Sequence, residues 1–158
     1  MLVSISTNHG RLERMIKIPG GKCERSIVLV GLMGAGKSCI GKRLAQHYGL
    51  PFVDADREIE TAAGCSISDF FELHGEQAFR DGERRVIARL LGNPQHVLAT
   101  GGGAVMDAVL HPETKERSIS IWLRAELDQL LKRVGRRNDR PLLKKVDQRA
   151  KLSELIDL

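Results

Sequence analysis

Aromatic residues and cysteines are scarce in this chain, and their scarcity limits what it can bind. The 158 residues include one Trp, one Tyr and four Phe, which leaves little surface for stacking nucleic-acid bases. Cys23, Cys39 and Cys65 are odd in number and share no metal-ligand spacing, which predicts free thiols in a reducing cytoplasm. No apolar run approaches the roughly 18 residues of a membrane span. We therefore expect a cytoplasmic protein that binds neither nucleic acid nor membranes.

Positive charge is concentrated in one late segment. The formal net charge is +5, and residues 132–151 hold nine Lys or Arg against two Asp. A nucleic-acid groove would spread this charge over a surface, whereas a single basic, proline-containing segment indicates a loop that handles phosphate. We predict a lid over about residues 135–147 that closes on a nucleotide. Arg140, in this lid, could supply a cation to a transferring phosphate or could be an ordinary surface charge.

Short apolar runs alternate with helical patterns along the chain. The runs predicted as strands are SIVLV at 26–30, PFVD at 51–54, HVLAT at 96–100 and SISIWL at 118–123. Helical spacing follows the first run, covers most of residues 57–91 and returns at 125–134. This alternation predicts an α/β fold in which helices cover both faces of a parallel sheet. We expect one domain over residues 26–158 and a mobile tail over residues 1–25.

The most specific motif is GLMGAGKS at residues 31–38, a complete G-x-x-x-x-G-K-S sequence between a strand and a helix. Its glycines allow backbone N–H groups to surround phosphate oxygens, and the following helix adds its positive end. Lys37 is expected to reach the β- and γ-phosphates, and Ser38 to bind Mg²⁺ through its hydroxyl. The residues predicted to bind ATP here are Gly34, Ala35, Gly36, Lys37, Ser38 and Cys39.

Two further motifs follow predicted strands, at the edge where an open parallel sheet binds ligands. Asp54 and Asp56 are two residues apart, so on a strand they would lie on the same side. One could hold a metal through water while the other binds a substrate hydroxyl, although either could instead cap the next helix. Glycines 101–103 could let the backbone approach a ligand or could form a flexible turn. Arg80 lies in a charged helical stretch, where solvent exposure is the default interpretation.

Taken together, the motifs GLMGAGKS, DAD, FRDGE, TGGGAV and RRNDRPLL stand in the order and spacing of bacterial shikimate kinases, which residues 25–158 resemble. The resemblance implies a three-layer P-loop kinase fold around a central parallel sheet. The family has five strands, and we expect four here, because the family continues past the position of Leu158 with a further strand and helix. The implied activity is ATP- and Mg²⁺-dependent phosphorylation of the 3-hydroxyl of shikimate in aromatic amino-acid biosynthesis. We expect the protein to be a monomer.

The resemblance also implies which residues bind the acceptor. Asp56 would bind the shikimate hydroxyls, and it could accept the proton of the reacting hydroxyl or only orient it. Arg80 would bind the carboxylate, because a guanidinium can make two parallel hydrogen bonds to it. The backbone of glycines 101–103 would complete the acceptor site. Residues 57–91 would form the substrate-binding helices.

On the nucleotide side, the resemblance implies that Ser38 binds Mg²⁺ and that Asp54 lies in the outer shell of the metal. Arg140 would be the lid arginine near the γ-phosphate, and Arg133 would flank the adenine. With Lys37 and Asp56, Arg140 completes the set of residues predicted to be catalytic.

Two other functions are compatible with parts of the pattern. A gluconate-type or adenylate-kinase-like enzyme would share the P-loop, but the D-x-D, F-R and triple-glycine motifs argue against both. A nucleotide-binding module with little catalysis is the second alternative. It is favoured by the family's second substrate arginine, which lies beyond the position of Leu158.

Overall fold

Five parallel strands form one sheet within the residues that the structure describes, which are 2–6, 25–102, 118–134, 149 and 152 of this computed structural model. The strands are β1 (Leu2–Ser6), β2 (Ser26–Val30), β3 (Phe52–Asp54), β4 (Val97–Ala99) and β5 (Ser118–Arg124). Their order is β1-β5-β2-β4-β3, and every neighbouring pair is parallel. All carboxyl ends therefore lie at one edge of the sheet, as the buried apolar runs predicted.

Capping residues mark several of the helix ends. They are α1 (Lys37–Tyr48), α2 (Ala55–Ala63), α3 (Ile67–Leu91) and α4 (Leu127–Val134). Asp54 caps α2, Ser66 caps α3, and Gly49 and Gly64 end α1 and α2 in the left-handed conformation. None of the helices in the described part of the chain combines the length and apolar character that a membrane span requires.

The sheet is covered on both faces, which gives the three layers predicted from the sequence. Ile27 and Leu29 of β2 pack into a core with residues of α1 and α4, together with the buried Leu152. Val28 and Val30 point to the other face, where they pack against the C-terminal part of α3. Every apolar side chain of β2 is fully buried. Each contributes about 1.5–3 kcal/mol by leaving water, so β2 is a major part of the core on both faces of the sheet.

The N-terminal segment corrects two predictions. Residues 1–25 were expected to be a mobile tail beside a four-stranded sheet, but Leu2–Ser6 pair with β5 as a fifth strand. The register runs from Leu2 opposite Ser120 to Ser6 opposite Arg124. The segment LVSIS alternates apolar and polar residues as a strand does, and it gives backbone partners to an edge of β5 with which none of the other described strands pairs. Residues 7–24 of the predicted tail lie outside the described residues.

Paired proline substitutions test the position of β1. In an edge strand, alternate N–H groups donate to the neighbouring strand and the others face solvent, so only half of the positions tolerate proline. We expect one of Val3→Pro and Ser4→Pro to lower Tm by roughly 3–6 °C and the other to leave it nearly unchanged. Thermal unfolding followed by circular dichroism measures this. If both variants melt with the wild type, residues 2–6 do not form a strand.

Candidate active site

The P-loop leaves β2 at the carboxyl edge of the sheet and runs directly into α1. Gly34 and Gly36 have φ values of 83° and 95°, which side chains rarely allow, and Gly36 is the residue before the first helical turn. The N–H of Ala35 donates to Leu32 O at 3.1 Å, which tightens the turn. The N-terminus of α1 consequently opens toward the carboxyl end of β2, where it can bind an anion.

Lys37 and Ser38 lie at the mouth of this loop. The Nζ of Lys37 donates to Gly31 O at 2.6 Å and to Leu32 O at 3.1 Å, so its ammonium lies along the loop. The Oγ of Ser38 donates to Asp54 Oδ2 at 2.8 Å. A hydroxyl and a carboxylate are thus joined beside the predicted phosphate site.

The Ser38–Asp54 pair suits Mg²⁺. Both side chains offer hard oxygen atoms, which are the ligands that Mg²⁺ prefers. Among the described residues no group of three or more His, Cys, Asp or Glu side chains could hold a metal. Mg²⁺ in kinases needs no such group, because it takes most of its ligands from water and substrate phosphates.

Asp54 and Asp56 stand where β3 becomes α2. The second oxygen of Asp54, Oδ1, accepts from the N–H of Asp56 at 3.2 Å and caps α2. Capping and a role in the site are therefore compatible for Asp54, since each uses a different oxygen. The side chain of Asp56 is partly exposed and lines the same cleft as the P-loop.

Gly101 and Gly102, just after β4, lie close both to the carboxylates of the cleft and to the P-loop. A Cβ atom at Gly101 would lie 2.5 Å from Glu83 Oε1 and 2.9 Å from Asp56 Oδ1, so a side chain there would displace both carboxylates. A Cβ atom at Gly102 would lie 2.9 Å from the backbone nitrogen of Met33 in the P-loop. The ends of β2, β3 and β4 therefore meet, as a parallel sheet requires.

Arg80 is held inside the cleft and not on a solvent-exposed helix face. Its side chain is 17% exposed and donates from Nη1 to Glu83 Oε2 at 2.9 Å and from Nη2 to Glu76 Oε1 at 3.2 Å. The side chain of Glu83 is 3% exposed, whereas that of Glu76 is 59% exposed. The default interpretation of Arg80 as a surface charge is wrong, and its fork of donors has one buried and one exposed carboxylate partner.

Glu83 is one of the cleft residues that the sequence analysis missed. It lies one turn after Arg80 in FRDGE, and the three-residue spacing was the available signal. In a helix crowded with charges, however, that spacing is also typical of an exposed pair. Phe71 and Phe79 were missed as well: their rings are 4.5 Å apart and line the cleft beside Arg80.

One cleft of about 870 Å³ collects most of the predicted residues. Those that line it are Gly34, Gly36, Lys37, Ser38, Cys39, Asp54, Asp56, Arg80, Gly101, Gly102 and Arg133. Ala35, also in the P-loop, is buried. Arg133, on α4, donates from Nη1 to Gly34 O at 3.1 Å. The predicted residues Gly103 and Arg140 and the lid at 135–147 lie outside the described residues.

Comparison with known proteins identifies the family. The profile of the family described as "Shikimate kinase" matches residues 33–157. The chain belongs to the shikimate kinase family. The shikimate kinase of Paramagnetospirillum magneticum is 55% identical over 146 residues, which cover 92% of this chain and 75% of that relative.

Solved structures agree with this membership. The structure of the shikimate kinase from Acinetobacter baumannii in complex with shikimate has a TM-score of 0.78 at 37% identity, covering 87% of this chain and 76% of that one. A gluconokinase from Sinorhizobium meliloti has a TM-score of 0.52 at 17% identity, covering 86% and 75% of the two chains. That likeness shows a shared fold alone. The resemblance to shikimate kinases and the P-loop kinase fold are thus confirmed, and the gluconate-type alternative is not favoured.

Proposed function

We propose that this shikimate kinase family member transfers the γ-phosphate of ATP to the 3-hydroxyl of shikimate, giving shikimate 3-phosphate and ADP. The observation that carries the proposal is the placement of Arg80 and Asp56 in the same cleft as a complete P-loop. The P-loop suits a triphosphate, and the guanidinium suits the carboxylate of a small acid. Donor and acceptor can therefore bind next to each other, which phosphoryl transfer requires.

On the nucleotide side, backbone N–H groups of residues 34–39 surround the phosphates of ATP. Lys37 donates hydrogen bonds to two loop carbonyls in the structure. When ATP binds, it donates to β- and γ-phosphate oxygens instead. Ser38 would hold Mg²⁺ directly, and Asp54 would hold it through water. When bound, Mg²⁺ neutralises charge on the β- and γ-phosphates. Arg133 flanks the adenine from its position beside Gly34.

On the acceptor side, Arg80 binds the carboxylate of shikimate. We propose that the substrate displaces the exposed Glu76, because an exposed ion pair is weak, while the buried Glu83 keeps the guanidinium oriented. Glycines 101–103 offer backbone N–H groups to the same molecule. Asp56, beside Gly101, binds the reacting hydroxyl.

The chain's residues supply position and charge to the transfer and form no covalent intermediate. The acceptor oxygen bonds to the γ-phosphorus as the bond to the β–γ bridging oxygen breaks, and the hydroxyl proton passes to Asp56 or to water that Asp56 orients. Lys37 and Arg140 balance the negative charge on the transferring group. ADP leaves with the bridging oxygen.

A panel of acceptors tests this function. We expect ADP release in a coupled assay to depend on shikimate, and gluconate and AMP to give only the rate seen without an acceptor. Faster release with gluconate or AMP than with shikimate would overturn the acceptor assignment. Nucleotide binding with no acceptor-dependent release would favour the alternative of a binding module with little catalysis.

We also propose that the enzyme works as a cytoplasmic monomer on its small-molecule substrates. Cys39 and Cys65 are free, and Cys39 is exposed at the cleft, which suits a reducing compartment. Sedimentation of the protein with and without shikimate measures its state of association.

A further inference from the structure

Helix α3 contains a break that no helical residue other than glycine would readily adopt. Gly75 has φ 79° and ψ 175°, an extended left-handed conformation that is essentially restricted to glycine. A Cβ atom at this position would meet nothing within 4 Å. Glycine is therefore required by the backbone conformation and not by crowding from a neighbour.

The break changes which side chains of α3 can meet. Phe71 and Phe79 are eight residues apart and would be separated by about 12 Å along an unbroken helix. Their ring centroids are instead 4.5 Å apart, and those of Phe70 and Phe79 are 6.2 Å apart. The aromatic contacts therefore depend on the turn of the chain at Gly75.

Each half of α3 also contributes side chains to the proposed acceptor side of the cleft. Ile67, Ser68 and Phe71 precede the break, and Phe79, Arg80 and Glu83 follow it. Glu76 is the first residue after the break, and its carboxylate accepts one of the two hydrogen bonds that hold Arg80. The first half is anchored to α2, because the N–H of Ile67 donates to Glu60 Oε1 at 3.1 Å.

We infer that Gly75 is a positioning residue that sets the width of the acceptor site. This inference rests on the proposed function. Its conformation folds the first half of α3 back so that Phe71 packs on Phe79 and forms a wall beside the Arg80 guanidinium. The P-loop is not part of this wall, so we expect Gly75 to affect the binding of the acceptor and not the binding of ATP.

Gly75→Ala is the direct test, and Gly82→Ala is its matched control. Alanine at position 75 favours a regular helix and disfavours positive φ, so Phe71 should move away from Phe79. Gly82 lies in the same helix, also has open space around its Cβ and has no positive φ. We expect Gly75→Ala to raise the shikimate KM about tenfold or more, while the ATP KM changes less than about threefold. Gly82→Ala should change neither.

The split between the two KM values separates positioning from a general loss of structure. The inference is wrong if Gly75→Ala raises the KM of both substrates equally, or if a folded Gly75→Ala protein has an unchanged shikimate KM. If Gly75→Ala does not fold, Phe71→Ala is the second test, because it removes the aromatic wall without straining the backbone. It should raise the shikimate KM by a similar factor and leave the ATP KM nearly unchanged. If the wild-type protein does not phosphorylate shikimate, the proposed function is wrong. If the wild type phosphorylates shikimate and Gly75→Ala has the same shikimate KM, only the role of Gly75 is wrong.

Discussion

Replacing Lys37 with Ala should reduce the rate of phosphate transfer by at least about a hundredfold. The Lys37 ammonium lies 2.6 Å from Gly31 O in the P-loop, and nothing in alanine can replace its charge there. Stabilising charge that develops on the transferring phosphoryl group contributes several kcal/mol in such sites. The kcat at saturating ATP and shikimate measures the loss.

Arg43→Ala is the control for this experiment. Arg43 is a cation on the same helix, α1, but it is exposed and does not line the cleft. We expect its kcat to stay within about twofold of the wild type, in keeping with the small effects of surface substitutions. Near-normal turnover in Lys37→Ala would remove the P-loop from the reaction, and a comparable loss in Arg43→Ala would point to a general effect of charge.

Replacing Arg80 with Lys should weaken shikimate binding by roughly 10- to 100-fold and leave ATP binding nearly unchanged. Arg80 reaches two carboxylates at once through Nη1 and Nη2, and an ammonium cannot reproduce that fork. The shorter reach of the lysine donors would also leave the buried Glu83 poorly paired, which adds to the cost. Titration of each ligand separately, by calorimetry, gives the two affinities.

Arg84→Lys provides the comparison. Arg84 lies one turn further along α3, its side chain is 46% exposed, and it pairs with the exposed Asp81. The same chemical change at that position should alter neither affinity, because an exposed ion pair contributes little. If Arg80→Lys weakens both ligands equally, or neither, Arg80 does not recognise the acceptor.

The nucleotide half of the site could be predicted from the sequence because its geometry is local. A glycine-rich turn between a buried strand and a helix has one common arrangement, so Lys37 and Ser38 follow from their neighbours. Asp54 and Gly101 were also predictable, since residues at the carboxyl ends of parallel strands meet at one edge. The 2.8 Å bond from Ser38 to Asp54 agrees with that reasoning.

The proposed acceptor half of the cleft depends on tertiary packing, which no local sequence pattern predicts. Whether Arg80 faces solvent or the cleft is decided by how α3 lies against the sheet, and Glu83 becomes a buried partner only through that packing. The Phe71–Phe79 contact likewise requires the backbone turn at Gly75. An isolated glycine in a helical pattern does not specify such a turn, because glycine also occurs in regular helix, as Gly82 does here.

The edge strand β1 was missed for a related reason. Its partners in β5 are more than a hundred residues away, with Leu2 opposite Ser120. Five residues of alternating character are a weak signal, and strand pairing over such a distance depends on which edge the rest of the fold leaves open. The other four strands, by contrast, were predictable because they lie in apolar runs that alternate with helical patterns along the sequence.

The most direct test of this account is to identify the product formed from ATP, Mg²⁺ and shikimate. Phosphorus NMR of the reaction mixture, with mass spectrometry, shows whether phosphate is transferred and to which oxygen. The account predicts one new phosphate ester, coupled to the hydrogen on C3 of shikimate, that accumulates in step with ADP and is absent from the Lys37→Ala reaction. Free phosphate released without an ester, or an ester on another hydroxyl, would contradict the placement of Arg80 and Asp56 as the residues that hold the acceptor.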